Sequence, residues 1–229
     1  MSTIQDFFQN HKGNEVLKLT NYPKIYEKYL SKFRVPNTSP NILEIGIRFG
    51  GSLDLWNHYF DQKCQIYAVD IIPQCKQFET HSTHNNIKVF IGDQGNQDFL
   101  NQLNNQLPPL DIIIDDGGHF SHQQIKTFET LFPLLKEGGI YMVEDTHTSY
   151  MKQFNMNYQN PKSFISYMKD KVDQLHAWYS EEDPQNFQVD YYTLNIESIS
   201  FHSSMTVIEK GTPNRPYKLR SGKPPNWVG

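Results

Sequence analysis

Seven short runs of mainly apolar residues are spaced along the chain, and five of them lie in its first two thirds. Runs this short, rich in β-branched and aromatic residues, are typical of strands buried on both faces of a parallel sheet. The last two runs are joined by only a few residues, which permits an antiparallel hairpin but no parallel crossover. The predicted strands are residues 41–45, 65–69, 87–91, 110–114, 140–143, 196–201 and 205–209.

Apolar side chains recur at helical spacing between these runs, as expected for helices that cover a sheet. The predicted helices are residues 22–33, a helix bearing Leu53, Trp56 and Tyr59, and residues 96–105, 121–135 and 163–179. We expect Ser121 to cap the helix of residues 121–135, and residues 136–139, with two glycines, to end it. Strands that alternate with helices indicate βαβ units, so the pattern predicts an α/β fold with a mostly parallel sheet and one reversed strand.

Two acidic pairs, Asp115-Asp116 and Glu144-Asp145, directly follow two consecutive predicted strands. Because the carboxyl ends of parallel strands meet at one edge of a sheet, we expect these side chains to converge. Carboxylates in one crevice repel each other unless some are protonated or a cation lies among them, and no cationic side chain is evident within the two motifs. Mg²⁺ takes oxygen ligands from a few carboxylates, so the pattern favours a metal site. The alternative is that the acids merely cap the following helices.

The first predicted strand ends in a glycine-rich turn, residues 46–52, that leads into a helix. Such a turn lets the backbone approach a ligand closely and directs free N–H groups at its polar end. Arg48 stands where a dinucleotide-binding turn needs glycine, so a nicotinamide or flavin cofactor is disfavoured. The spacing from Glu44 to Ser52 instead suits a ligand that ends in an amino acid, with the Ser52 hydroxyl available to its carboxylate.

Polar residues also follow the second and third predicted strands. Asp70 can accept both hydroxyls of a ribose, as the acid that ends the second strand of a nucleoside-binding half does. Asp93 and Gln94 offer an acceptor and an amide that can bracket an adenine edge. The alternatives are that Asp70 caps a helix before Pro73 and that Asp93 only makes a turn with the glycine before it.

Charge and composition narrow the class of protein. The net charge of −4 gives no support for a broad nucleic-acid or anionic-membrane surface. Cys64 and Cys75 are too few for a disulfide framework and lack the spacing of a metal site, which favours reduced thiols and a cytoplasmic setting. No apolar run approaches the ~20 residues of a membrane span and the amino terminus lacks the layout of a signal peptide, so we expect a soluble protein with no membrane partner.

The order of elements, with a glycine turn after the first strand and an acid after the second, resembles the class I S-adenosylmethionine-dependent methyltransferases. Within that superfamily, the motifs at residues 43–46, 50–53, 114–119 and 143–146 are similar to those of metal-dependent sugar O-methyltransferases of macrolide pathways, the mycinamicin and macrocin types. The resemblance implies a Rossmann-like fold with helices on both faces of a seven-stranded sheet. It implies one domain over residues 1–229, with a helical lid or cap at 1–40 and a surface tail at 211–229.

The resemblance also assigns roles to individual residues. It implies that Asp116, Glu144 and Asp145 hold Mg²⁺ or Mn²⁺. It implies that His119 is the general base, since an imidazole can accept a proton near neutral pH; the alternative is that His119 only orders its turn. The residues implied to surround S-adenosylmethionine are Glu44, Gly46, Ser52, Asp70, Asp93, Gln94 and Asp115.

These roles predict a methyltransferase that acts on a sugar hydroxyl of a glycosylated natural product, a small-molecule acceptor. Three alternatives stay open: a catechol or phenol O-methyltransferase, a cephalosporin hydroxylase-like protein, and a non-catalytic cofactor-binding protein. A nucleic-acid partner is disfavoured, because residues 115–118 lack the proline-aromatic element that grips a flipped base. The mycinamicin-type enzymes carry an additional amino-terminal domain for which this chain is too short, so acceptor selection and a homo-oligomer stay open.

Overall fold

A computed structural model of the chain describes residues 3–81, 85–180 and 187–223. Within them, one sheet contains the strands β1 (Asn41–Ile45), β2 (Gln65–Asp70), β3 (Ile87–Ile91), β4 (Leu110–Asp115), β5 (Leu135–Val143), β6 (Ile196–His202) and β7 (Met205–Lys210). Their order across the sheet is β3-β2-β1-β4-β5-β7-β6. The first five strands pair in parallel, and β7 runs antiparallel to both of its neighbours. The predicted mostly parallel, seven-stranded sheet with one reversed strand is confirmed.

Helices cover both faces of this sheet. They are α1 (Ile4–Asn10), α2 (Tyr22–Leu30), α3 (Gly51–Tyr59), α4 (Phe78–His81), α5 (Gln97–Asn104), α6 (Ser121–Leu131), α7 (Phe164–Gln174) and α8 (Tyr191–Asn195). Successive strand residues point to opposite faces. Ile112 and Ile114 accordingly pack in a buried cluster with α1, α2 and α3, whereas Ile113 packs in a second cluster with α5, α6 and α7. The two clusters form the core.

Helix α6 departs from its predicted bounds at both ends. Its N-cap position is Phe120, and the Ser121 hydroxyl is buried without a hydrogen-bond partner, so the predicted Ser121 cap is wrong. The helix ends two residues before Pro133, because proline has no N–H for the helical ladder and its ring excludes a further turn. Residues 136–139, predicted to end the helix, lie in β5 instead.

The amino-terminal region is part of the core. Helix α1, which the apolar pattern did not predict, is capped by Thr3 and buries Ile4 and Phe7. Helix α2 is confirmed over most of its predicted length and contributes buried tyrosines to the same cluster. The connecting segment between them, residues 11–21, contains no helix or strand. It turns Lys18 inward and leaves Leu17 exposed, so it presents a charged side chain to the interior.

The carboxyl-terminal part consists of the β6-β7 hairpin and a tail. Residues 214–223 of the tail are exposed, and residues 224–229 of the predicted tail lie outside the described residues. Cys64 and Cys75 are buried free thiols. The described helices include none with the length and apolar character needed to cross a membrane.

The turn after β1 lies directly against the end of β4. Gly46 has a φ of +86° and donates its N–H to the carbonyl of Val69 at 2.8 Å. A Cβ atom at Gly46 would collide with the backbone carbonyl of Asp116. Backbone at this position cannot retreat without separating β1 from β4, so glycine is required both for its φ and for the close approach.

Replacing Gly46 with alanine is expected to lower the free energy of unfolding by about 2–5 kcal/mol, the sum of left-handed strain and the collision. Gly138 is a matched control, since its φ is +73° and no atom lies within 4 Å of a Cβ placed there. Gly138→Ala should lose only about 1–2 kcal/mol from strain. Urea unfolding of both variants measures the difference, and equal losses would show that the contact with Asp116 is unimportant.

Candidate active site

A cavity of about 370 Å³ opens at the carboxyl edge of the sheet, between the ends of β1 to β4 and the connecting segment. The strand-end turns bring most of the predicted site residues to its wall. Those that line it are Gly46, Ser52, Asp70, Asp93, Gln94, Asp116, His119 and Asp145. Glu44, Asp115 and Glu144 are buried and do not line the cavity. The predicted site residues therefore lie together, eight of them on the cavity wall and three acids buried behind it.

Asp70 at the end of β2 organises the glycine turn. Its Oδ2 atom accepts the N–H groups of Ile47 and Arg48 at 2.9 and 2.8 Å, and its Oδ1 atom accepts the N–H of Ile72 at 2.9 Å. Arg48 has a φ of +44°, a strained value for a residue with a side chain, which these bonds hold in place. Asp70 thus fixes the shape of the turn, and a contact with a ribose stays a prediction.

Gln94 fixes a second turn, the one after β4. Its amide nitrogen donates to Asp115 Oδ1 at 3.0 Å, and its amide oxygen accepts the N–H of Gly118 at 2.6 Å. Both ends of the Gln94 side chain therefore have partners within the protein. Burial raises the pKa of Asp115 to about 6, although the bond from Gln94 opposes that shift. Asp93 is exposed at the cavity, where its Oδ1 accepts the N–H of Gly95 at 2.7 Å.

Asp116, His119 and Asp145 converge at one end of the cavity. His119 Nε2 lies 3.7 Å from Asp145 Oδ2 and 4.0 Å from Asp116 Oδ1. Across the described ranges, these three residues are the one set of three or more His, Cys, Asp or Glu side chains whose ligand atoms lie within 4.8 Å of one another. His119 and Asp145 have φ values of +58° and +53°, and strained backbone of this kind clusters at functional sites. The donor set fits a divalent ion.

Glu144, the third predicted metal ligand, is placed differently. Its carboxylate accepts hydrogen bonds from the Tyr26 hydroxyl and from Lys18 Nζ, the latter at 3.0 and 3.1 Å. Burial and the nearby Asp116 carboxylate raise the pKa of Glu144, while Lys18 opposes the rise. Of the three predicted ligands, the structure thus brings Asp116 and Asp145 together and ties Glu144 to the amino-terminal region.

Lys18 is the functional residue that sequence reasoning missed. Its Nζ atom lies 2.6 Å from Asp116 Oδ2, 3.0 Å from Glu144 Oε2 and 3.9 Å from Glu44 Oε1, and its side chain is 2% exposed. The two acidic motifs contain no cationic side chain, as the sequence indicated, and the fold brings Lys18 to them from the connecting segment. Burial would lower the pKa of Lys18, but the combined attraction of the three carboxylates outweighs burial and raises that pKa well above its usual range. The ammonium group is therefore charged.

Glu44 lies at the base of the site, beneath the glycine turn. Its Oε2 accepts the Ser52 hydroxyl at 2.8 Å, while its Oε1 is buried without a hydrogen-bond partner. Burial raises the pKa of Glu44 to about 7, and the attraction of Lys18 limits the rise. The Ser52 hydroxyl, expected to be available to a ligand, is thus occupied by Glu44.

Aromatic rings border the His119 end of the cavity. The ring of His119 lies 6.4 Å from that of Phe154, which in turn lies 5.3 Å from the ring of Phe120. The His119 Nδ1 atom is buried without a hydrogen-bond partner, and Thr148 Oγ1 donates to the His119 carbonyl at 2.9 Å. The imidazole therefore presents Nε2 to the two carboxylates.

Known methyltransferases are similar to this chain in sequence and in structure. Residues 43–146 match the family model described as a methyltransferase domain. A tetracenomycin enzyme of Streptomyces olivaceus, 8-demethyl-8-alpha-L-rhamnosyl tetracenomycin-C 2'-O-methyltransferase, is 31% identical over 207 residues, 86% of this chain and 52% of the relative. Mycinamicin VI 2''-O-methyltransferase of Micromonospora griseorubida is 28% identical over 214 residues, 89% of this chain and 50% of the relative. The chain spans about half the length of the curated relatives it matches.

A solved structure supports the same relationship. The MycE methyltransferase from the mycinamycin biosynthetic pathway, in complex with Mg, SAH and mycinamycin VI, matches with a TM-score of 0.74 and 26% sequence identity. The match covers 93% of this chain and 53% of that chain. The family model spans the cavity residues from Gly46 to Asp145, whereas Lys18 lies outside it.

Replacing Lys18 with methionine removes the cation shared by three buried or partly buried carboxylates and keeps a side chain of similar length. We expect the metal-free protein to lose about 3–5 kcal/mol of unfolding free energy, because breaking a buried ion pair leaves charge uncompensated. The matched control is Lys32→Met, since Lys32 pairs with Glu209 at the surface, where such pairs contribute less than about 1 kcal/mol. Urea unfolding near neutral pH measures both, and similar losses would contradict a special role for Lys18.

Glu44 predicts a pH dependence of stability. Its pKa is about 7 in the folded protein against an ordinary value of 4.5, so the folded state retains a proton that the unfolded state has lost between these values. Unfolding free energy should therefore fall as pH rises from about 4.5 to about 7, by on the order of 3 kcal/mol from this group. Glu44→Gln should make that part of the profile less steep, while Asp115 and Glu144, whose pKa values burial also raises, keep a slope of the same sign. Urea unfolding across this range measures both proteins, and parallel profiles would remove Glu44 as the cause.

Proposed function

Since residues 43–146 carry a methyltransferase domain, we propose that this chain is an S-adenosylmethionine-dependent O-methyltransferase that uses a divalent metal ion and acts on a sugar hydroxyl of a glycosylated natural product. One observation carries the proposal. The side chain of His119, a candidate base, and those of Asp116 and Asp145, two candidate metal ligands, open onto the same cavity as the glycine turn and Asp70. Ligand pockets commonly have volumes of about 300–1,000 Å³.

The relatives support the choice of acceptor. The two curated relatives named above are O-methyltransferases whose names give positions on sugar-bearing compounds, and the MycE structure contains mycinamycin VI. We propose the same class of acceptor here, a small glycosylated molecule. The net charge of −4 supports a small-molecule acceptor over a nucleic acid.

The cavity wall fits the proposed cofactor. Gly46 lets the backbone of the turn pass close to Asp116 at the cavity wall, and Asp70 fixes the turn by accepting its N–H groups. Glu44 is buried behind the turn, and its Oε1 atom accepts no hydrogen bond although Lys18 Nζ lies 3.9 Å away, so its negative charge would favour a ligand amino group at this end of the cavity. When bound, S-adenosylmethionine supplies a methyl group on a positively charged sulfur. The residues that would surround it are Glu44, Gly46, Ser52, Asp70, Asp93, Gln94 and Asp115.

The acidic end of the cavity fits the proposed metal ion. Asp116, Glu144 and Asp145 would hold Mg²⁺ or Mn²⁺, and Asp116 and Asp145 already face the cavity. Glu144 would reach an ion only by exchanging part of its contact with Lys18 and Tyr26. When bound, a divalent ion supplies positive charge that stabilises the negative charge developing on the acceptor oxygen.

His119 would act as the general base. In the proposed reaction its Nε2 atom accepts the proton of the acceptor hydroxyl, and the carboxylates of Asp116 and Asp145, 4.0 and 3.7 Å away, stabilise the resulting imidazolium. The hydroxyl oxygen forms a bond to the methyl carbon as the bond from that carbon to sulfur breaks, which leaves a neutral thioether. The ring is held by the backbone of its turn, so the reacting groups are positioned before reaction.

Other parts of the chain take supporting roles in this proposal. Residues 1–229 would form one domain, with residues 1–40 as a cap on the site and residues 211–229 as a surface tail. The cap is supported by the buried contacts of Lys18 and Tyr26 with the site's acids. The two buried free thiols support a cytoplasmic location. A homo-oligomer is compatible with the exposed apolar side chains of Leu17 and Ile71 at the mouth of the cavity.

The deciding experiment incubates the protein with S-adenosylmethionine, Mg²⁺ and a panel of glycosylated polyketides and simple catechols, followed by mass analysis. We expect methylation of glycosylated compounds, no turnover after chelation, and recovery with Mg²⁺ or Mn²⁺. His119→Gln should lower kcat by ~10²–10⁴, because proton transfer is lost. The control is His122→Gln, an exposed neighbour in α6. Methylation confined to catechols, or full activity without metal, would overturn the proposed function.

A further inference from the structure

Asp145 is held by a residue outside the family-matched region. The hydroxyl of Tyr22, at the start of α2, lies 2.6 Å from Asp145 Oδ1, and the backbone N–H of Asp145 donates back to the same hydroxyl at 2.9 Å. One side chain thus contacts both the carboxylate and the main chain of a residue whose φ is +53°. No interaction of this kind was expected from the motifs, because Tyr22 precedes Asp145 by 123 residues.

The direction of these bonds follows from the chemistry of a single hydroxyl. A tyrosine hydroxyl can donate one hydrogen bond through its proton and can accept hydrogen bonds through the lone pairs of its oxygen. The Asp145 carboxylate can only accept, so the Tyr22 proton goes to Oδ1, and the Asp145 N–H donates to the Tyr22 oxygen. The Ser204 hydroxyl, 3.0 Å away, contacts both that oxygen and His147 Nδ1. The Ser204 carbonyl, which accepts the N–H of Thr146, is also 3.0 Å from the Tyr22 hydroxyl, but the charged carboxylate at 2.6 Å is the closer and stronger acceptor of its proton.

The Tyr22 ring cannot swing away from this position. It is 1% exposed and packs edge to face on Tyr26, 6.1 Å away, which itself packs on Trp56 at 5.2 Å. Tyr22 and Tyr26 are four residues apart and therefore lie on one face of α2. The Tyr26 hydroxyl on this face donates to Glu144, so α2 contacts both residues of the acidic pair Glu144-Asp145.

Tyr22 binds one carboxylate oxygen of Asp145, and the other oxygen faces the cavity residues. Asp145 Oδ1 accepts the Tyr22 proton, whereas Oδ2 is the atom 3.7 Å from His119 Nε2. We propose that Tyr22 is a positioning residue for the metal site, which fixes the carboxylate of Asp145 so that Oδ2 faces Asp116 and His119. This role rests on the proposed function, since it concerns the ion that Asp116 and Asp145 would hold.

The test compares Mn²⁺ affinity, measured by the electron paramagnetic resonance signal of free Mn²⁺, in the parent protein and in Tyr22→Phe. The variant removes only the hydroxyl oxygen and keeps the ring in the core. We expect the dissociation constant for Mn²⁺ to rise by about 10- to 100-fold, the usual effect of losing a group that orients a metal ligand. The measurement needs neither cofactor nor acceptor.

Tyr59→Phe is the matched control. Tyr59 is also fully buried, and its hydroxyl donates to the Glu27 carboxylate at 3.0 Å, away from the cavity. Its loss should reduce stability as Tyr22→Phe does, but leave Mn²⁺ affinity unchanged. A purely structural role for Tyr22 would make the two variants alike in both measurements, and that result would overturn the proposal.

Ser204→Ala provides a second variant should Tyr22→Phe fail to fold. It removes the hydroxyl that contacts both the Tyr22 oxygen and His147 Nδ1, which loosens the Tyr22 hydroxyl, and a smaller rise in the dissociation constant is expected. Unchanged affinity in whichever of the two variants folds, with a parent that binds Mn²⁺, overturns the role of Tyr22 alone. A parent that binds no Mn²⁺ overturns the metal-dependent function and this role with it.

Discussion

Like charges are forced together at the carboxyl edge of this sheet, and the fold around the site is arranged to relieve their repulsion. Parallel strands β4 and β5 end side by side, which brings Asp116 and Glu144 close together, and Glu44 lies beneath them at the end of β1. In a dry interior such charges repel strongly unless cations or hydrogen-bond donors lie among them. Lys18 supplies a fixed positive charge, and Tyr26 donates to the buried carboxylate of Glu144. Asp116 and Asp145 keep atoms directed at the cavity.

The same constraint explains why the amino-terminal region is part of the core. A surface helix needs only an apolar stripe to pack on a sheet. Helix α2 has that stripe, but its Tyr22 and Tyr26 side chains also carry hydroxyls that donate to acids of the site. Packing and charge compensation therefore act on one segment, and the site is built from both ends of the chain rather than from strand ends alone.

The sequence was sufficient for the sheet because strand signals are local. Short apolar runs located β1 to β4 within a residue or so, and the few residues between β6 and β7 fixed their antiparallel pairing. The end of α6 was predicted wrongly because apolar periodicity continues through Pro133, where the backbone cannot. Strand-end acids located the cavity for a similar local reason, since parallel strands align their carboxyl ends.

What the sequence could not show was which partners satisfy those acids. The amides and hydroxyls of Gln94 and Ser52 looked free for a ligand, but each has a buried carboxylate as partner, Asp115 and Glu44. The sequence around Lys18 gave only a weak signal that this side chain is buried, namely that the lysine lies between two leucines. Such pairings depend on residues far apart in sequence, which periodicity and motif spacing do not encode.

That separation has a consequence for the order of folding. Lys18 and Glu144 are 126 residues apart, so their ion pair forms only after most of the sheet between them has closed a long loop. During synthesis the amino-terminal segment emerges first and must wait for β5 before its lysine finds a partner. Until then the acidic edge of the incomplete sheet lacks the positive charge that compensates it in the native state.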